Sequence, residues 1–139
     1  MRLTLSVEAS LDQLTRLQER VTAFGESESW PADMAFQVEL TLEEICVNIV
    51  NYGFEDDGDE HAIEVIVDSE PDALTMEIID NGRAFDPLTE TPDPDLDSAV
   101  GDRPIGGLGV YLVKQYMDDL QYRRADGRNH LKMVKHRSA

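Results

Sequence analysis

Apolar and polar residues alternate from Arg2 to Val7, with Leu3, Leu5 and Val7 on one face, which predicts a half-buried strand. The period then lengthens. Leu11, Leu14, Leu17 and Val21 recur every three or four positions after Ser10, whose hydroxyl suits a helix cap. A first helix is therefore predicted from Leu11 to Phe24, with Gly25 closing it. A second helix is predicted from near Pro31, with Ser29 as its cap and Trp30 anchoring its start. Its apolar stripe is Val38, Leu42, Ile45 and Ile49. The acidic run from Glu55 to Glu60 reads as a solvated loop. His61 to Val67 and Leu74 to Ile79 predict a hairpin around Ser69-Glu70-Pro71-Asp72. Helical spacing returns between Val110 and Met117. Leu120 to Arg124 and Asn129 to His136 then read as strands joined at Ala125-Asp126-Gly127-Arg128. This order predicts an α+β two-layer sandwich with helices on one face of a mixed, mostly antiparallel sheet, in one domain spanning residues 1–139.

A polar stripe runs beside the apolar one on the second helix: Gln37, Thr41, Glu44, Asn48 and Asn51. At about 100° per residue, Glu44, Asn48 and Asn51 project together beside the buried face. A carboxylate with a carboxamide four residues on suits a hard cation such as Mg²⁺, which takes one or two protein oxygens and keeps phosphates and waters for the rest. Glu43 reads as an ordinary solvated residue. Downstream, Asp80-Asn81-Gly82-Arg83-Ala84-Phe85-Asp86 places a carboxylate at the end of a strand, beside a glycine that lets a flat base approach the main chain. Gly106-Gly107-Leu108-Gly109 then leads into the third helix, whose first-turn N–H groups and positive dipole end attract phosphate oxygens.

A helix bearing Glu-x-x-x-Asn, then Asp-x-Gly-x-x-Phe-Asp, then Gly-x-Gly opening a helix, resembles the N, G1 and G2 boxes of the GHKL (histidine-kinase-like) ATPase superfamily. The nearest likeness is to its branch of anti-sigma-factor serine kinases. The resemblance implies the Bergerat-type fold, with ATP and Mg²⁺ as ligands. Asn48 would ligate Mg²⁺ and Glu44 would orient or deprotonate the attacking hydroxyl. Asp80 would receive the adenine amino group, Gly82 would let the base lie close, and Gly107 and Gly109 would hold the phosphates. Asn51, Phe85, Arg103, Gly106 and Leu108 would complete the nucleotide site. It further implies phosphorylation of a serine on a small anti-anti-sigma partner of the STAS type, binding of a sigma factor when that partner is absent, and pairing of copies through their sheets. The sequence departs from the pattern at Tyr52, where several relatives carry histidine, and at Arg103, a lid arginine displaced toward the N-terminal side. A catalytically silent, nucleotide-dependent binding module therefore stands beside the kinase as an alternative. A histidine-kinase catalytic domain cut from its dimerisation helices ranks below both, because the chain opens directly on a strand.

Between the two glycine motifs, residues 87–105 carry four prolines and five acidic residues, and are expected to form a mobile lid over the triphosphate. The formal net charge of −17 over 139 residues argues against nucleic-acid partners and means that a triphosphate needs local positive groups, for which Arg83, Arg103 and Lys114 are candidates. The same field would speed encounter with a basic partner. Neither a membrane-spanning run nor a leader is read, so a soluble cytoplasmic protein is expected. Cys46, between Ile45 and Val47, reads as a small core residue rather than a nucleophile, and the three histidines show no metal-binding spacing. Met34, Met76, Met117 and Met133 read as core fillers.

Overall fold

The computed structural model describes residues 1–54, 61–89 and 108–137. Strand β1 (Arg2–Glu8) is followed by helices α1 (Leu11–Ser27) and α2 (Ala32–Tyr52), strands β2 (Ala62–Ser69) and β3 (Ala73–Asp80), helix α3 (Leu108–Tyr116), and strands β4 (Asp119–Ala125) and β5 (Arg128–His136). The five strands form one sheet in the order β1-β2-β3-β5-β4, and every pairing among them is antiparallel. β3 is therefore central, and its last residue, Asp80, lies in register between Ile63 on β2 and Asn129 on β5. The β4–β5 connection is a two-residue turn with Asp126 at φ 55° and Gly127 at φ 74°, the paired left-handed conformation that matches strand twist and that Asp-Gly adopts at little cost.

One face of the sheet carries Ile63, Val65, Val67, Leu74, Met76, Ile78, Leu131 and Met133, all buried, and the helices cover it. α2 packs against both α1 and α3, so its apolar stripe of Val38, Leu42, Ile45 and Ile49 is fully enclosed and Cys46 is buried beside it. Truncating such a residue, for example Leu42→Ala, would cost about 2–5 kcal/mol. The methionines at 34, 76, 117 and 133 are core residues as expected. Desolvation pushes the Cys46 thiol far above its ordinary range, which leaves it protonated and inert.

Several local expectations change. Ser10 does cap α1, accepting from the Gln13 amide at 3.4 Å, but the helix runs on past Gly25. Gly25 does not close it; a side chain there would overlap the Trp30 ring, so this glycine is a packing site inside the last turn. Leu11, the first residue of α1, is exposed rather than part of the buried stripe. Ser29 is not the cap of α2: it sits at φ 57° in the turn, and the cap position is Pro31, with no side-chain hydrogen bond. Trp30 does anchor the junction, packing edge-on against Phe24 at 5.8 Å and donating from Nε1 to Ser69 Oγ at 3.1 Å. The acidic run 55–60 and most of the expected lid, residues 90–105, lie outside the described residues. No helix among the described residues is long and apolar enough to cross a membrane.

Candidate functional site

α2 is the wall that the sequence motifs have in common. Its C-terminal half carries Glu44 and Asn48, its last turn meets the 80–86 segment, and the start of α3 lies against it. The turn after β3 is docked onto the end of α2 by main-chain contacts: the Arg83 amide donates to Gly53 O at 2.8 Å and Arg83 Nε to Tyr52 O at 2.9 Å. Gly82 is required for this approach. A Cβ on it would overlap the Gly53 carbonyl oxygen, which is backbone and has no means of moving aside. The Arg83 guanidinium lies over the buried Phe85 ring, 5.2 Å from its centre, and Tyr52 stands 6.3 Å from the same ring. Arg83, expected to offset phosphate charge, is thus engaged in holding this turn.

Asp80 is 3% exposed. Its Oδ1 accepts from the Gly82 amide at 2.9 Å and from Asn129 Nδ2 at 3.0 Å. Burial pushes its carboxyl above the ordinary aspartate range, against the opposing pull of those two hydrogen bonds and of the nearby Arg124 and His130 charges. Asn129 and Arg124 escaped the sequence reading. Arg124 donates from one terminal nitrogen to Gly82 O at 2.8 Å, closing the turn from the β4 side. Asn129 lies far from the motif in sequence, yet its parity was a legible signal: Asn129, Leu131 and Met133 alternate on the buried face, so a polar residue was pointing into an apolar layer.

Toward the middle of α2, Asn48 is buried and its Nδ2 has no hydrogen-bond partner. One turn earlier, Glu44 is half-buried. Desolvation, with the charge of Glu43 adding to it, raises its carboxyl above the ordinary glutamate range. Glu44 lies directly against Gly109 in the first turn of α3, where any Cβ would overlap its carboxylate. The structure therefore brings Glu44 against Gly109 at the start of α3. Asn51 is exposed at the end of α2, in a different environment from Asn48, and Lys114 sits in the last turn of α3, more than a turn from Gly109. Leu108 opens α3. Arg103, Gly106 and Gly107 lie outside the described residues.

The unpaired Asn48 Nδ2 is a donor and fits an acceptor such as a phosphate oxygen, while a carboxamide oxygen is the kind of hard ligand that Mg²⁺ takes. Among the described residues no group of three His, Cys, Asp or Glu side chains could cage a metal by itself, so a cation here would draw most of its oxygens from phosphates and water. A separate groove of about 650 Å³ lies between α1 and α2, lined by residues that include Glu19, Glu26, Phe36, Glu39 and Glu43. It contains neither a glycine turn nor a helix start, and none of the motif residues lines it.

Residues 7–135 match the model of the histidine kinase-like ATPase domain. The serine/threonine-protein kinase BtrW of Bordetella bronchiseptica is 35% identical over 107 residues, covering 77% of this chain and 74% of the relative. The serine-protein kinase RsbW of Bacillus cereus is 25% identical over 129 residues, covering 91% of this chain and 79% of that one. Among solved structures, the RsbU and RsbW domains of Rv1364c from Mycobacterium tuberculosis superpose with a TM-score of 0.69 at 11% identity. The match covers all of this chain and 34% of that one, and at this identity it speaks for the fold.

Proposed function

The chain belongs to the histidine kinase-like ATPase family, and from that premise we propose that it binds ATP with Mg²⁺ and transfers the γ-phosphoryl group to a serine of an anti-anti-sigma partner of the STAS type. The observation that carries this reading is the pairing of the half-buried Glu44 carboxylate with the first turn of α3, one helical turn from Asn48, whose buried Nδ2 is unpaired. Asp80 receives the adenine amino group, Gly82 gives the base room, and Phe85 supports the turn that holds both. Asn48 holds Mg²⁺, which supplies charge neutralisation at the phosphate oxygens when bound.

Glu44 is suited to the base role because a carboxyl held above its usual range binds a proton more tightly once ionised. In the transfer step the serine Oγ bonds to the γ-phosphorus, the bond from phosphorus to the β,γ-bridging oxygen breaks with its electron pair leaving on ADP, and the hydroxyl proton passes to Glu44. Phosphoryl transfer depends on positioning and charge stabilisation, and the start of α3 supplies oriented N–H groups for the second of these. The kinase names of the relatives support the transfer reaction; the partner class, and binding of a sigma factor when that partner is absent, are what the resemblance to the anti-sigma-factor serine kinases implies.

The test is incorporation of labelled γ-phosphate into a purified STAS-type protein by wild type and Glu44→Gln. A fall of about 10²–10⁴-fold in rate, with ATP affinity retained, is the expected result. If wild type binds ATP and the partner but incorporates no phosphate, the protein is a nucleotide-dependent binding module instead.

A further inference from the structure

The Asn129 side chain is 3% exposed and bonded at both ends. Its Nδ2 donates to Asp80 Oδ1 at 3.0 Å and to Arg83 O at 2.6 Å. Its Oδ1 accepts from the Phe85 amide at 3.2 Å, from Arg124 at 3.2 Å and from the Tyr122 hydroxyl. One carboxamide thereby ties three points of the 80–85 segment to two side chains of β4. The antiparallel register that sets Asn129 opposite Asp80 makes this reach possible. A second consequence concerns the carboxylate itself. With donors from Gly82 and Asn129 both on Oδ1, that oxygen's lone pairs are used, and among the described residues no donor reaches Oδ2. Asp80 thus keeps one oxygen for a ligand, and its rotation is locked.

We propose that Asn129 is the positioning residue that sets nucleobase selection, holding Asp80 so that Oδ2 alone faces the 6-position of a purine as an acceptor. The proposal rests on the ATP reading above and deepens it. An acceptor fixed at that point takes a hydrogen bond from a 6-amino group, gains nothing from hydrogen at the same position, and opposes a 6-oxo group, which is itself an acceptor. Without Asn129 the carboxyl regains rotation, and it loses one of the bonds that favour its ionised form. As a protonated acid it would offer a donor and tolerate the 6-oxo group.

The experiment is calorimetric titration of the full chain with ATP, with purine riboside triphosphate, which carries hydrogen at the 6-position, and with GTP. Wild type is expected to favour ATP over purine riboside triphosphate by about 10- to 100-fold, the range of one hydrogen bond to a charged group. In Asn129→Ala and in the isosteric Asn129→Asp, that preference should shrink to within about threefold and GTP should gain relative to ATP. A residue that merely supported the fold would weaken all three nucleotides together and leave their ratios unchanged; that result overturns the proposal. If neither variant folds, Tyr122→Phe and Arg124→Gln decide it, because each removes one donor that holds the carboxamide: a narrowed preference supports the proposal and an unchanged one overturns it. If wild type itself binds ATP no better than purine riboside triphosphate, it is the assignment of Asp80 to the adenine that fails, whatever Asn129 does.

Discussion

At the β3 end of the site, Asn129, Gly82, Arg83, Arg124 and Tyr122 form a closed hydrogen-bonded net around one oxygen of Asp80. At the α2 end, Asn48 keeps a buried Nδ2 without a partner and Glu44 rests against the bare Cα of Gly109. Among the described residues, the first region is held in place by its own hydrogen bonds, with Asp80 Oδ2 left open, whereas the second leaves a buried amide nitrogen unpaired. A buried polar atom left unpaired costs about 1–3 kcal/mol, so the α2 end carries a penalty that a ligand would relieve, whereas the β3 end gains rigidity. On the proposed reading, the base would be selected where geometry is fixed in advance, and phosphate and cation would bind where partners arrive with the substrate.

The strongest way to break this contrast is Asp80→Asn. It leaves an acceptor for Gly82 and Asn129 but removes the buried charge and places a donor where the adenine amino group should bind. ATP affinity should fall by about 1.5–3 kcal/mol in calorimetry, while the thermal midpoint stays level or rises. A parallel loss of stability would mean that the net requires the charge itself.

The two glycines sharpen the contrast further. Gly82→Ala meets the Gly53 carbonyl and should cost about 1–3 kcal/mol in denaturant unfolding. Gly109→Ala meets only the movable end of Glu44. Its stability should hold or improve slightly, while phosphoryl transfer drops because the carboxylate is pushed aside. Equal stability losses in the two variants would erase the distinction between a closed and an open end.

Asn48→Ala tests the open end directly. Removing the carboxamide abolishes the unpaired atom, so stability should change less than for a satisfied buried asparagine, and the Mg²⁺ dependence of ATP binding should weaken by about tenfold. Titrations with and without Mg²⁺ read this out; a variant whose ATP affinity still responds fully to Mg²⁺ removes Asn48 from the cation site.

The smallest effect is on pH dependence. Because the folded-state Asp80 carboxyl lies above its unfolded value, the folded chain holds that proton more tightly. Its contribution to stability is present in full below the ordinary aspartate range and is lost as pH rises through the raised value. Relative to wild type, Asp80→Asn should therefore gain stability with rising pH across that window, as followed by chemical denaturation at a series of pH values. An opposite slope would mean that the hydrogen bonds from Gly82 and Asn129 outweigh burial.

The periodicities that placed β1, α1, α2 and the two hairpins were local, and these elements formed where the patterns put them because each apolar stripe had a layer to face. Where a boundary or cap depended on a single residue, tertiary context decided it. Gly25 packs against Trp30, Ser29 takes a left-handed turn instead of a cap, and Leu11 stays exposed at the start of α1. The candidate site shows the same division. Glu44, Asn48, Asp80, Gly82 and Gly109 stood out as candidates because they fall in short spacings along single elements. That Glu44 meets Gly109, and that Asp80 is locked from β5, came only from packing.

By itself, then, the chain determined most of the elements and named candidate residues on them, since helix and strand periods depend only on neighbours three, four or two positions away. The tertiary structure alone decided their partners. Asp80 and Asn129 stand 49 residues apart, and their contact exists because antiparallel pairing of β3 with β5 sets one opposite the other. Register between distant strands is fixed by burial of whole faces, a collective quantity that no local spacing contains.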